Sequence, residues 1–212
     1  MQVGVLGSGN VGRSLATGFL SLGHQVKIGS RNPVKVSDWV AENGPNASAG
    51  TFVEAAAFGE LIVFAVLGSA AEEVIRMADP ANFAGKTVID TTNALAPSAG
   101  GMPTLFVGHT DSLGERIQRA LPQGRVVKAF NIVGYALMVH PQLPCGPPDM
   151  FICGYDADAK QGVTEILQAF GWSVIDIGPM EGARYLEPLA MVWILSAYPT
   201  QSWNQAFKLL RG

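Results

Sequence analysis

Three closely spaced glycines near the start of the chain constrain what it can fold into. Gly7-Ser8-Gly9-Asn10-Val11-Gly12 lies between a short apolar run, Gln2–Leu6, and a segment of helical periodicity over 11–22. A strand turning through G-x-G-x-x-G into a helix is the entry to a dinucleotide-binding βαβ unit. Each glycine has a separate task. Gly7 permits the tight turn, Gly9 lets backbone approach a pyrophosphate, and Gly12 lets the helix pack close to its strand. The free N–H groups and positive dipole end of that helix would then hold the phosphates, with Ser8, Asn10 and Val11 completing the loop.

The rest of the chain extends this unit. Short apolar runs alternate with longer helical patterns, which points to parallel strands joined by crossover helices. Strands are expected over Gln2–Leu6, Gln25–Gly29, 49–51, 61–67, Thr87–Asp90, 125–129, 150–153 and 173–177. Helices are expected over 11–22, 38–42, Phe52–Phe58, 70–77, 112–121, 156–170 and 181–198, the last broken by Pro188 and Pro199. Residues 61–67 form the most continuous β run, as for a strand buried on both faces. The expected fold is α/β, a doubly wound parallel sheet of the Rossmann NAD(P)-binding type with a small C-terminal α/β extension. Residues 1–140 would form the NADP-binding domain and 149–212 a small lobe packed on it. A proline-rich connection over 141–148 separates them.

The end of the second strand selects the dinucleotide. An NAD site places Asp or Glu there to accept bonds from the ribose 2′-hydroxyl. Here the strand runs into Gly29-Ser30-Arg31-Asn32-Pro33, with no carboxylate at the tip. Arg31 can grip a 2′-phosphate, Ser30 and Asn32 can hydrogen-bond it, and Lys35 adds a second positive charge. NADP(H) is therefore expected over NAD(H). The nicotinamide end should lie at the carboxyl ends of later strands, which nominates Ala65, Val66, Leu67, Asn93, Ala129 and Asn131. Asn93 and Asn131 can hydrogen-bond a carboxamide or a substrate edge, or cap a turn. No catalytic acid or base is convincingly placed. His109 and His140 sit in loops, and whether either meets substrate is left open.

Composition narrows the partners. Of 212 residues, 48% are hydrophobic and only 15% charged, against a usual charged share of about 25%. No apolar run approaches the roughly 20 residues of a membrane span, and no secretory signal is visible. The formal net charge of -3 is spread without blocks, which argues against nucleic acid and anionic membranes as partners. Cys145 and Cys153 fit no C-x-x-C spacing and read as reduced thiols of a cytoplasmic protein. No metal-ligand cluster is evident. The apolar excess concentrates in 61–67 and in 189–195, a helix that is apolar all round. Such a helix is expected to be covered by a second subunit or a cofactor ring.

Two family resemblances attach to these residues. Val5 to Gly12, the Gly29-Ser30-Arg31 turn with Lys35, Ile152-Cys153-Gly154, Ile177-Gly178-Pro179 and Leu186-Glu187-Pro188-Leu189 resemble the coenzyme F420-dependent NADP oxidoreductases (8-hydroxy-5-deazaflavin:NADPH oxidoreductases). The run 127–132 is more similar to the NADPH-binding domain of the six-transmembrane ferric reductases, which also carries Gly-Ser-Arg-Asn-Pro. The resemblance implies NADP(H) binding, a homodimer, and hydride transfer to a small-molecule redox acceptor, either F420 or a flavin (FMN or FAD). Direct transfer between two stacked rings needs alignment and water exclusion rather than an acid or base. Two other functions stay open: an imine or β-hydroxyacid reductase completed by a partner subunit, and a non-catalytic NADPH-binding sensor.

Overall fold

In the computed structural model, which describes residues 1–96 and 101–212, the chain alternates strand and helix through most of its length. β1 (Gln2–Leu6) leads through the glycine turn into α1 (Asn10–Ser21), and β2 (Gln25–Gly29) follows. Then come α2 (Ser37–Glu42), β3 (Ala47–Gly50), α3 (Phe52–Phe58), β4 (Leu61–Phe64), α4 (Ala71–Ala78) and β5 (Thr87–Asp90). β6 (Leu95–Ala96) and β7 (Thr104–Leu105) form a small antiparallel pair apart from the main sheet, which the sequence pattern did not suggest. α5 (Leu113–Ala120), β8 (Arg125–Lys128), β9 (Asp149–Gly154), α6 (Ala157–Ala169), β10 (Ser173–Asp176) and α7 (Ala183–Ala197) complete the order.

The main sheet has eight strands in the order β10-β9-β8-β5-β4-β1-β2-β3. β1 lies between β2 and β4, both parallel to it, so the glycine turn opens at the centre of the carboxyl edge. The sheet is parallel except at β8–β9, where Lys128 stands opposite Cys153 in antiparallel register. β9 and β10 are parallel to each other, so the last two strands extend the same sheet in the reverse direction. Apolar layers cover both faces. Leu15 and Phe19 of α1 pack with Val163 and Leu167 of α6 on one, and Ile75 of α4 and Ile117 of α5 occupy the other. β4 is buried along its whole length, as its unbroken apolar sequence requires.

Beyond end shifts of one or two residues, two features differ from the sequence expectation. The central strand stops at Phe64, because Ala65 to Leu67 turn outward along the carboxyl edge and Leu67 is 78% exposed. The last helix is not broken at Pro188. The proline forfeits one backbone bond, but buried Leu186, Glu187, Ala190 and Trp193 on either side anchor both halves to one support.

Candidate functional site: a dinucleotide groove at the carboxyl edge

Side-chain capping divides the helices of this fold. Thr51 caps α3 in a reciprocal box with Glu54, Ser112 caps α5, and Asp156 caps α6. α1, like α2, α4 and α7, has no side-chain cap; its N-cap is Gly9 and its first turn carries no acidic residue. Its first backbone N–H groups and its positive dipole end are therefore left for an anion. Gly7 adopts φ +129°, and a Cβ there would lie 2.0 Å from the Ala65 carbonyl oxygen. A Cβ on Gly12 would meet the Gly7 carbonyl oxygen at 2.0 Å, so strand and helix touch through bare backbone. Gly9 differs. A Cβ there meets nothing within 4 Å, and its backbone opens onto the groove. No neighbour in the chain requires that glycine, whereas a pyrophosphate lying against the turn would.

The groove is about 480 Å³ and gathers residues from five segments. Gly7, Ser8, Gly9, Asn10 and Val11 form one end, Ser30, Arg31, Asn32 and Lys35 the other, and Ala65, Val66 and Leu67 the rim between. Gly12, Asn93, Ala129 and Asn131 do not line it. The fourth wall comes from Phe52 and from Ala70, Glu73, Val74 and Met77 on and before α4, none of which was anticipated. The only sequence signal for them is that α4 follows the strand beside β1.

The two loops at the ends of the groove are tied together. Ser8 Oγ donates to Ser30 Oγ at 3.3 Å, and the same oxygen accepts from the Asn32 N–H at 3.2 Å. The Gly7 N–H bonds the Gly29 carbonyl at 3.0 Å. Arg31 and Lys35 are exposed and neither side-chain cation makes an ion pair among the described residues. Two unpaired cations facing one groove, with no carboxylate on the β2 tip, fit an additional phosphate.

A second polar assembly lies at the ends of β5 and β8. Asn93 Nδ2 donates to the Asn131 carbonyl at 2.7 Å, and Asn131 Nδ2 donates to Asn93 Oδ1 at 3.0 Å and to the Leu186 carbonyl at 2.8 Å. Both amides are thereby held against α7. Asn131 Oδ1 is buried without a donor, a costly condition that a ligand N–H would relieve. Ala129 is fully buried, and Phe130 beside it adopts φ +63°, uncommon for a bulky residue. Beneath these residues Lys128 Nζ lies 2.8 Å from Asp90 Oδ2 and 3.1 Å from Glu187 Oε1, all buried. Burial would strip the Lys128 proton, but the two carboxylates outweigh it and hold its pKa above the ordinary lysine value.

Neither loop histidine lines the groove. His109 is exposed with φ +60°, and His140 lines a separate cleft with Arg13, Trp39 and Tyr135. Among the described residues, no group of three or more His, Cys, Asp or Glu is placed to hold a metal, and no helix is long and apolar enough to cross a membrane.

Comparison with known proteins adds to this geometry. Residues 2–94 match the model of the family described as NADP oxidoreductase coenzyme F420-dependent. The crystal structure of a candidate F420-dependent NADP-reductase from Arthrobacter sp. FB24 superposes with a TM-score of 0.94, covering 100% of both chains at 39% identity. Metalloreductase STEAP3 of Rattus norvegicus is 32% identical over 192 residues, which is 90% of this chain and 36% of the relative. The F420-dependent NADP reductase of Methanothermobacter thermautotrophicus is 27% identical over 207 residues, 92% of this chain and 88% of the relative. The chain thus spans about a third of the length of the metalloreductases it matches.

Proposed function

Because the chain belongs to the coenzyme F420-dependent NADP oxidoreductase family, we propose that it moves a hydride between NADP(H) and a deazaflavin or flavin ring. The observation that carries this is the groove itself: an uncapped helix end at one extremity, two unpaired cations at the other, and no carboxylate on the β2 tip. When bound, the nicotinamide ring gives or takes the hydride at C4. The chain's own residues bind and orient. The first turn of α1 takes the pyrophosphate, and Arg31, Lys35, Ser30 and Asn32 take the 2′-phosphate. Ala65, Val66 and Leu67 line the path toward the nicotinamide, where the amides of Asn93 and Asn131 would meet the edge of the ring and Ala129 packs in the core beneath. Small and apolar surroundings keep water away from a reaction that needs no acid or base on the protein.

A homodimer fits the same proposal. Tyr185, Pro188, Val192 and Leu195 recur at three- and four-residue spacing along the exposed side of α7. A second copy packed there would shield that stripe and close the acceptor side of the groove.

The test is rapid mixing of NADPH-loaded protein with F420, FMN and FAD in turn. Oxidation of NADPH by one of them, with matching reduction of the acceptor, is the expected result. Inertness toward all three would overturn the reading and favour a sensor role.

A further inference from the structure

Arg13 occupies a position that helix electrostatics disfavours. It is a cation in the first turn of α1, at the positive end of the helix dipole. Among the described residues no carboxylate pairs with it. Instead its guanidinium bonds two main-chain carbonyls: Nε donates to Ser8 O at 3.1 Å and Nη2 to Lys35 O at 3.0 Å. Ser8 belongs to the glycine turn and Lys35 to the cationic end of the groove, so one planar side chain spans the two loops.

The two ends are not equally secured without it. The Ser8 loop is held by the Gly7–Gly29 backbone bond, the Ser8–Ser30 hydroxyl contact and α1 itself. Lys35 sits exposed on a short 3-10 turn, Pro33–Val36, where its N–H bonds the Asn32 carbonyl at 3.2 Å. Loss of the span would chiefly free Lys35. We propose that Arg13 is a positioning residue for cofactor discrimination: by fixing the Lys35 backbone against the glycine turn it sets the separation at which a pyrophosphate and a 2′-phosphate are held together. This rests on the 2′-phosphate assignment to Arg31 and Lys35. The rigid guanidinium fork suits the task, since a lysine ammonium at the same place reaches one carbonyl and not two in fixed geometry.

The test measures NADPH and NADH affinity by calorimetry in Arg13→Gln, Arg13→Lys, Lys35→Ala and the Arg13→Gln/Lys35→Ala double variant, with Arg31→Ala as control. Arg13→Gln should weaken NADPH about tenfold and NADH less than about threefold, the scale of one hydrogen bond to a charged group. Arg13→Lys should fall between, and it supplies the measurement if the glutamine variant does not fold. Adenosine 2′,5′-bisphosphate should lose affinity in parallel with NADPH, whereas adenosine 5′-monophosphate should not. In the Lys35→Ala background the effect of Arg13→Gln should shrink, because the group being positioned is gone. Equal losses for both dinucleotides, or losses that simply add in the double variant, would overturn the proposal. If Arg31→Ala also failed to discriminate the two dinucleotides, the fault would lie in the 2′-phosphate assignment instead.

Discussion

Glu187 on α7 lies 3.1 Å from the Lys128 ammonium on β8, and neither side chain reaches solvent. The same carboxylate accepts from the Leu113 and Gly114 N–H groups at the start of α5, both at 3.0 Å. Lys128 in turn bonds Asp90 and the Thr92 carbonyl. One buried carboxylate therefore joins α7 to α5 and, through Lys128, to β5.

Glu187→Ala should destabilise the fold by about 3–5 kcal/mol, because it removes one partner of a buried ion cluster and strands two backbone donors. Urea unfolding measures this, and a loss below about 1 kcal/mol would show the cluster to be dispensable. The raised Lys128 pKa sets the pH window. The ammonium's contribution is complete below the ordinary lysine value of 10.5 and fades only as pH climbs through the higher folded value. The stability gap between wild type and Lys128→Met should accordingly stay constant from about pH 7 to about pH 9.

Glycine substitutions should separate folding from ligand binding. Gly7→Ala and Gly12→Ala put a methyl 2.0 Å from a carbonyl oxygen, and both should lower the thermal midpoint sharply or prevent folding. Gly9→Ala meets no protein atom and should leave the free protein within about 0.5 kcal/mol of wild type. Its NADPH affinity should nonetheless collapse. Retained NADPH binding in Gly9→Ala would remove the glycine turn from the site.

Arg31→Ala should weaken NADPH by about ten- to hundredfold, as expected for lost charge-assisted bonds to phosphate. NADH should be almost unaffected. Titration of both dinucleotides decides the matter, and parallel losses would contradict a 2′-phosphate role.

The two thiols should react very differently. Burial pushes the Cys153 thiol up to about 12, while Cys145 is exposed in the proline-rich connection. A chromogenic disulfide near pH 8 should modify one thiol in the native protein and two after denaturation. Rapid native modification of both would mean that the C-terminal strands open readily.

The α7 stripe gives the last prediction. Val192 and Leu195 are 53% and 46% exposed, so aspartate at either should cost the monomer little stability. Light scattering should find a dimer for wild type and a monomer for Val192→Asp/Leu195→Asp. A monomeric wild type at micromolar concentration would remove the homodimer from the functional proposal.

What the sequence revealed divides along locality. The β1-turn-α1 unit is encoded within a dozen consecutive residues whose glycines have no other use, and it folds as read. The cationic end at Arg31 and Lys35 was visible because it lies at a fixed distance from that unit. The α4 wall of the groove was hidden, since Glu73, Val74 and Met77 show which face of a helix is apolar but not what the other face borders. The Arg13 span was hidden for the same reason: it joins carbonyls that become neighbours only after β2 has paired. Pro188 misled because a local rule about proline was overridden by tertiary burial on either side of it.

The open edges of the sheet, β3 and β10, have a consequence for behaviour in concentrated solution. Each is four residues long. β3 is Ala-Ser-Ala-Gly, which offers little apolar surface, and β10 ends in Asp176, held 2.7 Å from Lys160. A wandering strand finds only a four-residue ladder at either margin, of small side chains along β3 and ended by a charged pair at β10. The chain is thereby defended against fibrillar growth at both ends of its sheet, despite a composition apolar enough to invite it.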